Sequence, residues 1–167
     1  MKTTNNNTVV VINGHPTSGK DTFVKLCSKN DKSVKNISIV DYPKSIAELC
    51  GWRGSKLDKD RKFLADLLDI LAEWDDIPFK KVCEFIEQCN NNIIFIHSRS
   101  PYDIERFKNK FNATTIFIDN KNVKRVSNNH ADNNVEDYNY DYIIDNNKGI
   151  VELNEGAKTF LKLIKEN

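Results

Sequence analysis

The sequence lacks a long apolar run. A membrane-spanning helix needs about 20 consecutive apolar residues, and the N-terminal segment MKTTNNNTVVVING has only a short run from Val9 to Ile12. The same segment has no apolar stretch of the length that a signal peptide requires. The chain is therefore predicted to be a cytoplasmic protein that neither enters nor binds a membrane.

Closely spaced metal ligands are also missing. The four cysteines, at positions 27, 50, 83 and 89, form no CxxC pair, and the three histidines have unrelated spacings. Structural zinc sites depend on such pairs, so no zinc site is predicted. Cys27 and Cys83 fall at apolar positions of predicted helices, where a free thiol behaves as a small apolar side chain. Both are interpreted as reduced core thiols.

A strong charge of either sign is absent as well. The chain has 25 Lys and Arg against 24 Asp and Glu, a formal net charge of +1. This balance argues against a polybasic protein that binds a nucleic-acid polymer and against an acidic tail. No internal repeat or linker is visible, and 167 residues is an ordinary length for one domain. One domain over residues 1–167 is predicted.

Short apolar runs alternate with amphipathic stretches along the chain. Strands are predicted at 9–13, 36–41, 93–97, 113–119 and 140–144, and helices at 21–29, 44–50, 60–74, 78–88, 101–110 and 149–165. Apolar residues of the 60–74 segment recur at the spacing of a core-facing helix: Phe63, Leu64, Leu67, Leu68, Leu71 and Trp74. The alternation predicts an α/β fold with a mostly parallel five-stranded sheet and helices on both faces.

The first predicted strand is followed by a glycine-bounded loop that ends in lysine. Its sequence, Gly14-His15-Pro16-Thr17-Ser18-Gly19-Lys20, matches GxxxxGK and lies between a strand and a helix, as a phosphate-binding loop does. Backbone N–H groups and the helix N-terminus attract phosphate oxygens there. Lys20 is predicted to reach the β- and γ-phosphates. Residues 14–22 are therefore predicted to bind a nucleoside triphosphate, ATP.

The residue after this lysine departs from the usual pattern. Asp21 stands where Ser or Thr normally binds Mg²⁺. Its carboxylate could bind the metal directly, bind it through water, or cap the helix, and the sequence leaves these roles open. Thr22 is the nearest hydroxyl and is a candidate contact for the α-phosphate.

The GKD sequence of residues 19–21 resembles small-molecule kinases in which GKD replaces GK[ST]: phage-type deoxynucleoside monophosphate kinases and animal-type phosphomevalonate kinases. The layout of the chain is similar to that of the nucleoside monophosphate kinase group, which includes adenylate kinase. The resemblance implies a three-layer P-loop NTPase fold, ATP and Mg²⁺ as cofactors, and a small phosphorylated acceptor. It also implies acceptor-binding helices at about 43–90 and a lid at about 120–139, although that polar segment could instead be disordered.

The same layout points to acceptor-binding residues near strand ends. Arg99, in Ser98-Arg99-Ser100-Pro101, resembles an acceptor-phosphate arginine of adenylate kinases, and its planar guanidinium suits phosphate. The alternative is a salt bridge to Asp103. Asp41, at the predicted end of the second strand, is a candidate for a Mg²⁺-bound water or the acceptor, or else begins a turn. Lys44 faces either an acceptor phosphate or solvent.

Three further residues complete the predicted site. Arg61 begins the 60–74 helix and is either a phosphate ligand or part of a solvated helix entry. His97 occupies the strand end where a Walker B Asp is often found, and it is interpreted as lining the site. The absence of an acid from residues 93–98 argues against a standard hydrolytic ATPase. Arg125, in the lid-like segment, is predicted to act catalytically with Lys20 and Arg99.

The predicted function is transfer of the γ-phosphoryl group of ATP to a (deoxy)nucleoside monophosphate. Such catalysis consists mainly of positioning and charge stabilisation. A phosphomevalonate-type or other metabolite kinase is the alternative enzyme. A regulator that binds ATP without efficient transfer is the alternative outside enzymes, and the unusual residues at positions 21 and 97 favour it.

Overall fold

The computed structural model describes residues 6–123 and 138–166. This part of the chain contains five strands and six helices. The strands are β1 (Thr8–Asn13), β2 (Val34–Ser38), β3 (Ile93–His97), β4 (Thr114–Asp119) and β5 (Tyr142–Asp145). The helices are α1 (Lys20–Asn30), α2 (Asp41–Leu49), α3 (Asp58–Asp75), α4 (Ile77–Gln88), α5 (Pro101–Phe111) and α6 (Ile150–Glu166). Among the residues described, no helix is long and apolar enough to cross a bilayer.

The strands form one sheet in the order β2-β3-β1-β4-β5. β1 pairs in parallel with β3 and with β4, and β4 pairs in parallel with β5. Because β1 is central and its neighbours are β3 and β4, the loop after β1 lies where the strand order reverses. Open α/β sheets bind ligands at such a position, outside the carboxyl ends of the strands. The predicted α/β fold is confirmed.

Helices cover both faces of the sheet. On one face, α1 and α6 pack on β1, β3 and β4, with Phe23 and Phe160 in the same buried cluster as Phe95. Successive side chains of a strand point to opposite faces. On the other face, α5 contacts β1 and β4, and its side chains Ile104 and Phe107 are buried. The β-branched runs of β1 and β3 are almost wholly buried, as expected for strands covered on both sides.

The chain divides into two compact units. The first comprises the residues up to 36 and those from 90 onwards, and it carries the phosphate loop. The second, Ile37–Cys89, contains α2, α3 and α4, which contact one another. Both tryptophans of the chain, Trp52 and Trp74, belong to the second unit. The organisation of residues 1–167 as one domain stays a prediction.

The prediction that the second strand ends at Asp41 is wrong. β2 ends at Ser38, and Asp41 is the first residue of α2. Oδ2 of Asp41 accepts a hydrogen bond from the backbone N–H of Ser38 at 2.7 Å. A short acidic side chain that binds a neighbouring backbone group favours a turn over a continued strand. The turn-forming alternative therefore describes the local structure correctly.

The prediction that α3 faces the core is also wrong. None of its residues is buried, and Phe63 and Trp74 are 38% and 77% exposed. The four remaining apolar positions, at 64, 67, 68 and 71, are half-buried, and α3 contacts α2 and α4. A period of 3.6 residues indicates an apolar stripe, but it does not indicate how much of that stripe the neighbouring helices cover.

Cys27 and Cys83 are both buried, as predicted, and neither forms a disulfide within the described residues. Burial raises the pKa of the Cys27 thiol from 9.0 to about 12, with a smaller contribution from the nearby charge of Asp31. A thiol with so high a pKa is almost entirely protonated near neutral pH and is a poor nucleophile. The structure therefore gives Cys27 a packing role.

Candidate functional site

The phosphate loop (residues 14–20) is shaped by glycines at both of its ends. Gly14 has φ +152°, and a Cβ atom there would lie 2.6 Å from Ser18 Oγ and 2.7 Å from the Ile118 carbonyl oxygen. Gly19 has φ +101° and is the N-cap of α1. Side chains other than hydrogen fit neither position, because both lack space for a Cβ atom and both have a backbone conformation that favours glycine. The turn is closed by a hydrogen bond from Ser18 N–H to the His15 carbonyl at 3.1 Å.

The tip of the loop is less buried than its base. Pro16 is half-buried, and Thr17 is exposed with a left-handed φ of 64°. His15 contacts the edge of Phe117 in β4, with ring centroids 5.9 Å apart, while Ser18 is fully buried. The tip therefore faces outward from the sheet edge, and the base is held by packing.

Asn13, the last residue of β1, joins three parts of the first unit. Its side chain is fully buried. Oδ1 accepts from the Gly14 N–H at 2.8 Å, and Nδ2 donates to the Tyr140 hydroxyl at 2.8 Å and to the Arg99 carbonyl at 3.4 Å. Burial raises the pKa of Tyr140 to about 12, so its hydroxyl stays protonated. These contacts place the backbone of Arg99 beside the entry to the phosphate loop.

Asn146, in the loop between β5 and α6, binds the phosphate loop from the other side. Nδ2 donates to the Ser18 carbonyl at 2.8 Å, and the Asn146 N–H donates to the Asp119 carbonyl at 2.8 Å. A Cβ atom on Gly19 would collide with this side-chain amide. Asn146 was not among the residues predicted from the sequence. Its position after a strand and before a helix, at the carboxyl edge of the sheet, was the available signal.

Lys20 points back into the loop that precedes it. Its Nζ donates to the carbonyl oxygens of Gly14 and His15 at 2.6 and 2.7 Å. The N-cap residue of α1 is Gly19, which has no side chain to bind the first N–H groups of the helix. The first N–H groups of a helix have no partner within the helix, and its dipole favours an anion there. Lys20 and the start of α1 together can bind a phosphate group.

Asp21 and His97 approach each other at the same edge. β1 and β3 are in register with Ile12 opposite His97, so His97 lies beside the start of the phosphate loop. Its Nδ1 is 3.7 Å from Oδ1 of Asp21, whose side chain is 86% exposed, against 15% for His97. In the described part of the chain, no three His, Cys, Asp or Glu residues cluster as a metal site. A single exposed carboxylate fits Mg²⁺, which is commonly held by one or two carboxylates together with substrate phosphates.

A cavity of about 360 Å³ adjoins the start of α1. It is lined mainly by small polar residues of the loops after β4 and β5: Thr22, Asn120, Asn122, Asn146, Asn147, Gly149, Ile150 and Leu153. Several of these asparagines also hold the loops in shape. Oδ1 of Asn147 accepts from the Lys121 N–H at 2.7 Å, and Oδ1 of Asn120 accepts from the Asn122 N–H at 3.0 Å. The cavity offers amide donors and acceptors next to the phosphate loop.

The remaining predicted site residues lie outside the described part of the first unit. Asp41, Lys44 and Arg61 belong to the second unit. Within the described ranges, neither Lys44 nor Arg61 forms an ion pair, and Arg61 is exposed while Lys44 is half-buried. Arg125 and most of the lid-like segment 120–139 lie outside the described residues. Asp103, the alternative partner for Arg99, forms an ion pair with Arg106 at 3.1 Å.

No protein-family model and no curated protein matches the sequence. Solved structures with a similar fold are nevertheless found. One is a Chloroflexus aurantiacus protein described as a kinase (TM-score 0.57, 10% identity, 98% of each chain covered). Another is shikimate kinase from Aquifex aeolicus (TM-score 0.56, 14% identity, 92% of this chain and 96% of that chain). A third is the APS kinase CysC of Mycobacterium tuberculosis (TM-score 0.50, 14% identity, 95% and 97%). The chain has the three-layer fold of P-loop kinases.

Proposed function

We propose that the protein is an ATP-dependent phosphotransferase that phosphorylates a small molecule, with a (deoxy)nucleoside monophosphate as the acceptor. The observation that carries the proposal is the phosphate loop itself. Its glycines, its lysine and the uncapped start of α1 meet at the central strand of a sheet with the fold of P-loop kinases. That combination provides both a cation and backbone donors for a triphosphate.

The nucleoside part of ATP is assigned to the cavity beside α1. Thr22 lines this cavity and follows Lys20 and Asp21 directly, so a nucleotide can reach from the phosphate loop into it. Amide side chains there can donate to and accept from the edge of a base. Asn146 belongs both to the cavity wall and to the hydrogen bonds of the phosphate loop, so base and phosphate binding share one residue.

Transfer then depends on charges that stabilise the moving phosphoryl group. Lys20 binds the β- and γ-phosphates, Arg99 binds the acceptor phosphate from its place after β3, and Arg125 adds a further positive charge. When bound, Mg²⁺ would neutralise charge on the triphosphate, and Asp21 is the residue proposed to hold it. A phosphate-monoester acceptor is itself nucleophilic, so the proposal needs no strong general base.

The choice of acceptor rests on the sequence. The similar structures are named for different acceptors, shikimate and APS, so the shared fold does not select one. The GKD sequence at residues 19–21 and the arginine between Ser98 and Ser100 are the features that favour a nucleoside monophosphate. The acceptor-binding roles predicted from the sequence for Lys44 and Arg61, which belong to the second unit, stay predictions.

An acceptor panel tests the proposal. ADP formation is measured with ATP and Mg²⁺ and, in turn, each ribo- and deoxyribonucleoside monophosphate and phosphomevalonate. Turnover with one nucleotide class is expected. Turnover with phosphomevalonate alone would identify the other kinase type, and tight ATP binding without turnover on any acceptor would identify a regulator.

Lys20→Ala supplies the matching variant. Loss of a positioned charge at a transferring group lowers kcat by roughly 10²–10³-fold. Lys25→Ala is the control, because Lys25 is an exposed lysine of the same helix. Equal activity of the two variants would contradict the assignment of Lys20.

A further inference from the structure

The two residues that depart from the usual phosphate-loop pattern are also in contact. Position 21 normally carries a hydroxyl and here carries Asp. The end of β3 often carries an acid and here carries His97. The structure places these two side chains 3.7 Å apart, Nδ1 to Oδ1. Two unusual residues on different elements thus meet at one place.

We propose that residues 21 and 97 have exchanged the usual roles of their positions, so that the carboxylate which supports the metal ion comes from position 21. Asp21 on α1 supplies the carboxylate that elsewhere comes from β3, and His97 on β3 orients that carboxylate. His97 is therefore a positioning residue, and Asp21 is the group that supports the metal ion on the triphosphate. The inference rests on the nucleotide-binding part of the proposed function and is independent of the acceptor.

The exposure of the two side chains fits this division of roles. Asp21 is 86% exposed and can reach a ligand, whereas His97 is 15% exposed and is held by β3. Within the described residues, the contact with His97 is the one polar contact of the Asp21 carboxylate. Of the roles that the sequence left open, helix capping is disfavoured, because the N-cap position of α1 is Gly19 and Asp21 is already the second residue of the helix.

The number of carboxylates is the same in both arrangements. The usual arrangement has a hydroxyl with a carboxylate, and this one has a carboxylate with an imidazole, so each contains one carboxylate. At 3.7 Å the contact is longer than a hydrogen bond, so it guides the carboxylate and leaves it able to turn toward a metal ion. A second carboxylate at position 97 would instead stand beside the first and repel it.

The proposed exchange predicts that Asp21→Thr and His97→Asp each weaken metal binding alone and compensate each other when they are combined. The native protein is compared with Asp21→Thr, His97→Asp and the double variant that carries both, which restores the usual arrangement. Affinity for the ATP analogue AMP-PNP is measured by calorimetry with Mg²⁺ and with EDTA. Binding of Mn²⁺ to the AMP-PNP complex is measured by electron paramagnetic resonance. Asp21→Asn removes only the charge, and Glu155→Gln, an exposed α6 residue paired with Lys158, is the control.

Each single variant is expected to lower metal affinity of the nucleotide complex by about 10- to 100-fold, the usual effect of changing a group that supports a metal ligand. The double variant is expected to return to within about threefold of the native value, close to the usual scatter of independent substitutions. If His97→Asp alone fails to fold, Asp21→Thr against the double variant carries the same test.

Two results would overturn the inference: a double variant no better than the worse single one, or an Asp21→Asn variant that binds the metal as the native protein does. Failure of the native protein to bind AMP-PNP at all would overturn the proposed function with it. Normal compensation without turnover on any acceptor would contradict only the proposed transfer reaction.

Discussion

Replacing Asn146 by alanine tests whether the loop after β5 holds the phosphate loop in its binding shape. The substitution removes the donor that lies 2.8 Å from the Ser18 carbonyl. It leaves the fully buried Ser18 with a carbonyl that has lost this partner. Asn146→Asp is a stricter change, because it keeps the size of the side chain and replaces the donor by an acceptor facing the same carbonyl.

The expected loss follows from this one contact. Removing a hydrogen-bond donor from a buried acceptor costs about 1–3 kcal/mol, and water can enter from the adjoining cavity, so about 1–2 kcal/mol is expected. For a chain of this length, about 1 kcal/mol lowers the melting temperature by roughly 2–4 °C. If that energy maintains the binding shape of the loop, ATP affinity falls by up to about tenfold for each 1.4 kcal/mol.

Thermal unfolding and calorimetric titration with ATP measure the two effects. Asn154→Ala is the control, since Asn154 is an α6 asparagine whose exposed hydrogen bond joins Asn30, at the far end of α1 from the phosphate loop. Asn146→Ala should weaken ATP binding, and Asn154→Ala should leave it unchanged. Equal ATP affinity in the two variants would show that the contact with Ser18 does not shape the site.

Two further predictions follow from ionisable groups. The Asp31 carboxylate pairs with Lys165 at 2.5 Å and also accepts hydrogen bonds from the N–H and hydroxyl of Ser33, and these contacts, that of Lys165 foremost, lower its pKa from 3.8 to about 2. A pKa lowered by folding means that the pair stabilises the protein above about pH 4 and loses that effect as the pH falls toward 2. Since the Lys165 side chain is 57% exposed, solvent screening limits the effect, and Asp31→Asn should destabilise by about 1 kcal/mol at pH 7. Urea unfolding at pH 7 and pH 2.5 should show that difference shrinking, and a constant difference would contradict the ion-pair explanation. Iodoacetamide should label the exposed Cys50 in the native protein and the buried Cys27 only after unfolding, as peptide mass spectrometry would show; rapid native labelling of Cys27 would refute its burial.

The parts of the structure that depend on neighbouring residues in the chain were predictable. β3 has the predicted bounds, and α5 begins at Pro101 as predicted. The phosphate loop was found from its spacing, because glycine and lysine are required there by local geometry. Such features follow from backbone preferences within a few residues.

The features that were missed depend on contacts between distant residues. Asn146 reaches Ser18 across 128 positions of sequence. Its place after a strand indicates the carboxyl edge of the sheet but does not indicate Ser18 as its partner. The apolar stripe of α3 was identified, but its exposure depends on which helices lie beside it. The prediction that β2 ends at Asp41 failed for a different reason. The sequence around Asp41 was compatible with both a strand end and a turn, and a hydrogen bond from the Ser38 N–H favours the turn.

Because both tryptophans lie in the second unit, intrinsic tryptophan fluorescence reports on that unit alone. Tryptophan emission arises only from residues 37–89, whereas the aromatic cluster around Phe23, Phe95 and Phe160 in the first unit contains none. Trp74 is 77% exposed, so its emission is sensitive to anything that covers it. A change in tryptophan fluorescence on adding ATP would therefore record, without an added label, a response of the second unit to the ligand.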